Sequence, residues 1–342
     1  MSELQSGSEA ERATTVFLAS IPLFDGIEDA DLAELAALLR RRQLAAGEIL
    51  WREGDEASGM VLIVDGQLSL SLTVPGQQTV EFGRPGRAEI LGEIPLIDGG
   101  HHSATVRAVE PTAVLLLRRT DFAMLVSRRN RTAFAIKRRI AGLVCGRLRV
   151  QLAALADTLG NGDARARAGG AISAAKARDP AELDFCGPPD SRYVRRLATF
   201  RAFDSLALWG FLTAGRYARC PVGETLIAEG TISPACYLTM NGAVEKVIIR
   251  GGRRIRVGLA GPGQAFGYES LIDGKPAPTS AITRERTLLL MLPREAFDRL
   301  FNGDTAGSHV FIDVVNRDVV AALRQALRPQ PRLAASVSQR QR

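Results

Sequence analysis

The stretch GEIPLIDGGHHSATVRA at 92–108 combines a glycine, a carboxylate, a short apolar turn, a Gly-rich bend and a strand-like end. That order suits a pocket for a small phosphorylated ligand. A short helix over Ile94–Ile97 would turn free backbone N–H groups toward a negative phosphate. Gly92 lets the backbone come close, Glu93 can accept a ribose hydroxyl, and Ser103 and Thr105 can hydrogen-bond phosphate or base. Pro95 fits the first helical turn, which has no N–H to lose. His102 stands where a cation would anchor the phosphate. Its imidazole, with a reference pKa of ~6.5, is mostly neutral at neutral pH and anchors an anion less well than a guanidinium. The candidate ligand-binding set is Gly92, Glu93, Ile94, His102, Ser103 and Thr105.

The elements that must position these groups occur twice. GEILWREGDEASGMVLIVDGQL (47–68) aligns without a gap on GETLIAEGTISPACYLTMNGAV (223–244), a shift of 176 residues. Gly47/Gly223, Glu48/Glu224, Glu53/Glu229, Gly54/Gly230 and Gly66/Gly242 are identical pairs, and LIDG recurs at 96–99 and 271–274. So long a period means duplicated domains, since solenoid repeats run ~20–50 residues. In the second copy, aligning GEIPLIDG on GYESLIDG puts Tyr268 at the carboxylate position, with Glu269 one residue late. The following KPAPTSAIT reads as one residue longer and would place Pro278 at the anchor position. Lys275, Thr279 and Ser280 can still meet an anion, so a weaker second set is Gly267, Tyr268, Glu269, Thr279 and Ser280. This copy reads as structural, or as built for a protein partner.

Each copy is a series of short strands bounded by Gly, Pro or Asp, the pattern of a barrel or jelly roll. Asp65-Gly66 between two strand-like runs predicts a tight hairpin. Helices flank the strands. One is expected over 29–42, with Asp29 or Asp31 as cap. A long apolar-periodic helix is expected over 131–159, with Phe134, Ile140, Leu143, Val144, Leu148, Val150, Leu152 and Leu155 along it. It is too apolar to stand alone in water and predicts a homodimer through this helix.

The expected organisation is a disordered N-terminus (1–14), a first domain (15–159) ending in the long helix, a linker (160–190), a degenerate second domain (191–328) and a disordered basic tail (329–342). The fold class is α+β, mainly β. Helix, roll with a short helix inside it, then long helices: this order resembles the cyclic nucleotide-binding domain superfamily, which includes bacterial cAMP receptor proteins and regulatory subunits of cyclic-AMP-dependent kinase. IPLFDGI, AGEILWREGDEASGMVLIVDGQLSL and GEIPLIDGGHHSATVRA carry the resemblance in the first copy; VGETLIAEG, YLTMNGAVEKV and GPGQAFGYESLIDG carry it in the second. It implies two β-roll domains and the roles given above for Gly92, Glu93 and Ser103. It also implies an arginine immediately before Ser103, forking to the phosphate. This chain has His102 there, a loss of roughly 1.5–3 kcal/mol, or about tenfold to a hundredfold in affinity. The ligand implied is cAMP, cGMP or a cyclic dinucleotide, with no other cofactor.

Other classes fit poorly. A metalloenzyme on a β-roll needs several converging histidines, and the chain has 3, of which His101 and His102 are adjacent and would point to opposite faces of a strand. No G-x-S-x-G, Walker A or Rossmann glycine pattern occurs. The 4 cysteines form no C-x-x-C pair and read as reduced thiols. A polar N-terminus without a basic-then-apolar layout, and no long apolar run, predict a cytoplasmic protein without a membrane partner. The net charge of +7 leaves nucleic acid as a lesser alternative, bound through basic surface only, because the single helix expected after the second roll cannot make a helix-turn-helix. RRLAT at 195–199 resembles a kinase pseudosubstrate but sits where a helix belongs. The expectation is a non-enzymatic bacterial regulatory protein acting through an unidentified effector protein. Its alternative is a ligand-free scaffold.

Overall fold

The computed structural model of the chain describes residues 2–73, 79–160, 176–201, 203–250 and 253–327. It divides into two compact units, Met1–Ile140 and Ala141–Arg342.

The first unit opens with helix α1 (Ser2–Ala19) and, after a 3-10 turn, helix α2 (Asp29–Leu38). The expected disorder over 1–14 is replaced by α1, whose end buries Phe17 and Leu18. Helix α2 stops short of 42 and its cap position is Glu28, with no side-chain cap bond. The arginines at 40–42 instead enter strand β1 (Arg40–Leu44), because this backbone finds ladder partners in a later strand. Then come β2 (Ile49–Trp51), β3 (Gly59–Asp65), β4 (Leu68–Thr73), β5 (Thr79–Gly83), β6 (Ile90–Leu91), helix α3 (Glu93–Asp98), β7 (Thr105–Ala108), β8 (Thr112–Arg118), helix α4 (Arg119–Ser127) and helix α5 (Arg131–Gly160). The strands form two antiparallel sheets, β1-β8-β3-β6 and β2-β7-β4-β5. Between them Leu44, Trp51, Val61, Ile63, Val106 and Val114 make the core.

The hairpin expected at Asp65-Gly66 does not form. Strands β3 and β4 lie in different sheets, and the turn carries the chain across the sandwich. Gly66 is required there for two reasons: its φ is +86°, and a Cβ would come within 2.7 Å of Pro111 O. The same dipeptide signal serves a crossing as well as a hairpin, because both need positive φ.

Helix α5 matches the expected span. Its apolar positions Phe134, Ile140, Val144, Leu148 and Leu152 are buried, whereas Leu143 and Val150 face out at 40% and 67% exposure. The stripe is thus covered within the chain itself. Residues 161–175, most of the expected linker, lie outside the described residues, as does the basic tail.

The rest of the expected linker is structured. Strand β9 (Asp184–Cys186) pairs as an edge strand, and the Arg178 guanidinium meets Glu224 at 2.9 Å. Helices α6 (Ser191–Arg196) and α7 (Ser205–Leu212) lead into the second roll. Thr199, in the RRLAT segment, donates to Gly263 O at 3.0 Å and so belongs to the packing.

The second roll repeats the first: β10 (Arg216–Cys220), β11 (Thr225–Ile227), β12 (Ala235–Asn241), β13 (Val244–Arg250), β14 (Arg253–Ala260), β15 (Ala265–Phe266), helix α8 (Tyr268–Asp273), β16 (Ser280–Thr283), β17 (Thr287–Pro293) and helix α9 (Arg294–Asn302). Its sheets are β15-β12-β17-β10-β9 and β11-β16-β13-β14. Helix α10 (Ala306–Leu327) closes the described chain, burying Phe311, Val315 and Val319. The repeated Glu-Gly pairs have a structural job: Glu53 accepts from Thr73 N at 3.0 Å and Glu229 from Ile249 N at 3.1 Å. Both fix the approach of a neighbouring strand.

Candidate functional site

In the first roll, β6 hands over to α3 through Gly92, at φ +83°. A Cβ there would lie 2.5 Å from Gly59 O and 3.3 Å from the Trp51 ring. The close approach that makes glycine necessary is to the protein's own backbone and indole. Glu93 begins α3 and is buried, and Ile94 is half-buried behind it. Ser103 is exposed. The Thr105 hydroxyl oxygen accepts from Glu53 N at 3.1 Å, so it braces the roll.

His102 is held by its backbone. Its N–H donates to Asp55 O and its carbonyl accepts from Gly54 N, both at 2.9 Å. The imidazole is 3% exposed and stacks on Trp51, with ring centroids 4.0 Å apart and planes 4° apart. Burial holds its pKa below the usual histidine value, against a smaller opposing pull from Asp55. Nε2 is buried with no hydrogen-bond partner among the described residues. His101, one residue earlier, is exposed and bridges to Glu56 through the backbone. Gly92 and Glu93 thus lie at the turn into α3, and His102 and Ser103 in the segment before β7, while the Thr105 hydroxyl is engaged by the Glu53 backbone.

The second cassette follows the same backbone. Gly267 has φ +81° and starts α8. Gly230 N donates to Ala277 O at 3.0 Å, and Ala277 N to Thr231 O at 2.7 Å. These bonds repeat those around His102, so Ala277 occupies the position equivalent to His102. The expectation that Pro278 sits there is corrected: the segment is no longer than in the first copy, and Pro278 stands opposite Ser103. Ser280 accepts from Glu229 N at 2.9 Å, the counterpart of Thr105. Tyr268 is fully buried with its hydroxyl unpartnered among the described residues, and burial raises its pKa. It packs into the core and presents nothing to a ligand. Glu269 is also buried, at 5% exposure.

Glu269 and Thr279 line a small pocket of about 10 Å³, room for about one water, with Ile227, Lys246, Phe266 and Ala277. Lys275 is exposed, and the loop it occupies is gripped by Arg149 of α5, which makes a forked ion pair with Asp273 at 2.6 and 2.9 Å and donates to the Lys275 and Pro276 carbonyls. Two site residues went unread in the sequence, Trp51 and Lys246. The gap-free alignment pairs Trp51 with Ile227, but only the folded chain brings Trp51 to His102. Among the described residues no group of three or more His, Cys, Asp or Glu side chains is placed to hold a metal ion, and no helix is long and apolar enough to cross a membrane.

The family model of the cyclic nucleotide-binding domain matches residues 41–129 and 218–304, one span in each roll. The chain belongs to this family. It carries two cyclic nucleotide-binding domains in tandem. The cyclic AMP receptor protein of Thermus thermophilus is 34% identical over 130 residues, 37% of this chain and 57% of that protein. A putative potassium channel protein of Rhodopseudomonas palustris is 31% identical over 138 residues, 40% of this chain and 33% of the channel. The cAMP-dependent protein kinase regulatory subunit of Mycosarcoma maydis is 28% identical over 192 residues, 55% and 34% of the two chains. The chain thus spans between about a third and just over half of the length of these relatives. A solved regulatory subunit of a cAMP-independent protein kinase A from Trypanosoma brucei aligns over 96% of this chain and 95% of that one, with 14% identity and a TM-score of 0.32.

Proposed function

We propose that this chain is a non-catalytic regulatory protein whose first cyclic nucleotide-binding domain takes a cyclic nucleotide weakly and reports it to a protein partner. The observation that carries this reading is the buried, unpartnered Nε2 of His102 at the anchor position, beside Glu93 and Ser103. A buried polar atom without a partner costs free energy, and a phosphate oxygen would satisfy it. A neutral imidazole N–H gives one uncharged bond where the family's arginine gives a charged fork, so affinity is low. Glu93 would take the ribose hydroxyl and Ser103 a phosphate oxygen. Self-association through α5 would rest on Leu143 and Val150, the apolar side chains of that stripe that remain exposed.

One observation favours a second reading, a ligand-free scaffold: the His102 ring is already buried and stacked on Trp51, a member of the core. Calorimetric titration of the full chain with cAMP, cGMP and cyclic di-GMP, repeated on His102→Arg, separates the two. Binding to the native chain that tightens about tenfold or more in the arginine variant supports the sensor. No heat with either protein overturns it and leaves the scaffold.

A further inference from the structure

Helix α5 carries two seams. One is buried in the chain and contains Ile140, Val144, Leu148 and Leu152. The other runs along the outer face through Arg139, Leu143, Gly146, Val150, Ala153 and Asp157, at alternating steps of four and three residues. That spacing keeps side chains on one face of a helix and is the repeat by which two helices wind together. All but the half-buried Gly146 are exposed, Leu143 at 40% and Val150 at 67%. A Cβ added to Gly146 would meet nothing within 4 Å. The outer seam is therefore apolar in its middle, charged at its ends and open at its glycine.

The order of sizes and charges along this seam selects what can cover it. Bulky and small residues alternate over Leu143, Gly146, Val150 and Ala153. A second α5 laid parallel would match each residue with itself. Gly146 would face Gly146 and Ala153 would face Ala153, leaving gaps, while Arg139 and Asp157 would each meet their own charge. An antiparallel α5, with its two-fold axis at the level of Leu148, matches them differently. Leu143 meets the partner's Ala153, Gly146 meets the partner's Val150, and Arg139 meets the partner's Asp157. Each bulky side chain then falls opposite a small one, as close packing requires, and each end of the seam joins opposite charges. Arg139 gives one N–H to Asp25 O, and its guanidinium has further donors for a carboxylate. Arg147 is exposed at the margin of the face, where a long stem lets the charged head stay in water.

We propose that the chain forms an antiparallel homodimer in which the outer seam of α5 packs on the same seam of a second copy, with Gly146 set against the partner's Val150. The proposal rests on the self-association through α5 put forward above and adds its direction and register. Sedimentation equilibrium of the full chain over a concentration series should show a monomer–dimer equilibrium. Gly146→Val enters open space within its own chain and replaces the poorer helix former. Melting of the dilute protein should therefore hold or rise, while dimerisation weakens about tenfold or more. Adding Val150→Ala to Gly146→Val should restore dimerisation, because the two positions face each other across the axis. Asp157→Lys should weaken it. The register is read directly in a Cys186→Ser background, since the other cysteines are buried. Gly146→Cys mixed with Val150→Cys under a mild oxidant should give a disulfide-linked dimer, and each alone should give little. Cross-linking of each variant to itself but not to the other overturns the antiparallel register and leaves self-association through α5 standing. A monomer at every concentration overturns both, as does a dimer indifferent to Gly146→Val and to Asp157→Lys. None of these results depends on the nucleotide titration of the native chain and His102→Arg, so the sensor and the dimer can fail separately.

Discussion

The imidazole of His102 and the indole of Trp51 lie parallel, 4.0 Å between centroids, across a separation of 51 positions in the sequence. Trp51 is part of the core between the two sheets of the first roll, and His102 is buried against it. A Cβ on Gly92 would meet Gly59 O at 2.5 Å and this indole at 3.3 Å, which with a φ of +83° keeps the position a glycine.

Removing the indole should be costly. Trp51→Ala opens a cavity beside Gly92 and leaves His102 without its stacking partner. The expected loss is about 3–5 kcal/mol, with Trp51→Phe keeping most of the stability. Urea unfolding of the two variants checks this; equal losses would show that the ring contact contributes nothing.

The same histidine should make the first roll acid-sensitive. Its folded pKa is depressed by burial below the usual histidine value, so the unfolded chain takes up a proton that the folded chain resists. Stability tied to the neutral ring is present above about pH 6.5 and is lost as pH falls through the folded pKa. Relative to His102→Phe, the native chain should therefore lose thermal stability between pH 7 and 5. Parallel melting curves over that range would remove the prediction.

Asp318 in α10 should act in the opposite sense. Burial pushes its carboxyl up from 3.8 to about 6, although Arg317 and the bond from Ala265 N pull it down. The folded state holds the proton more tightly, so the associated stability is present below pH 3.8 and is lost as pH rises through about 6. Asp318→Asn keeps an acceptor for Ala265 N without the charge. It should be more stable than the native chain at pH 7, by about 1–3 kcal/mol, with the advantage vanishing near pH 4.

Arg149 offers a test of geometry against charge. Its fork to Asp273 is mostly shielded, at 16% and 17% side-chain exposure. Arg149→Ala should destabilise the second unit by roughly 1–3 kcal/mol. Arg149→Lys should recover less than half of that, because an ammonium cannot grip two carboxylate oxygens and two carbonyls in one plane. Full recovery by lysine would mean that only the charge matters.

The fold was legible because duplication printed the same turns twice. Glu53-Gly54 and Glu229-Gly230 mark equivalent corners, and the strand runs around them have the alternation and spacing of a roll. The Asp65-Gly66 dipeptide was legible as a turn but silent about its use, since positive φ serves a sheet crossing and a hairpin alike. Helix α5 was legible in extent from its period, but what covers its stripe depends on packing. The counterpart of His102 was misplaced in the second cassette. There the prolines suggested a longer segment, and only the backbone bonds of Ala277 fix the register. The small pocket of the second roll was invisible, because its lining comes from positions as far apart as Ile227 and Ala281.

The backbone bonds that hold His102 also hold Ala277, although one side chain is a buried ring and the other a methyl group. The frame does not consult the side chain it carries. After a duplication, either copy can therefore exchange the side chain at this position while keeping the same backbone bonds. Recognition in such a chain is inherited separately from architecture. Two rolls with one ancestry can then answer to different small molecules, or one of them to none.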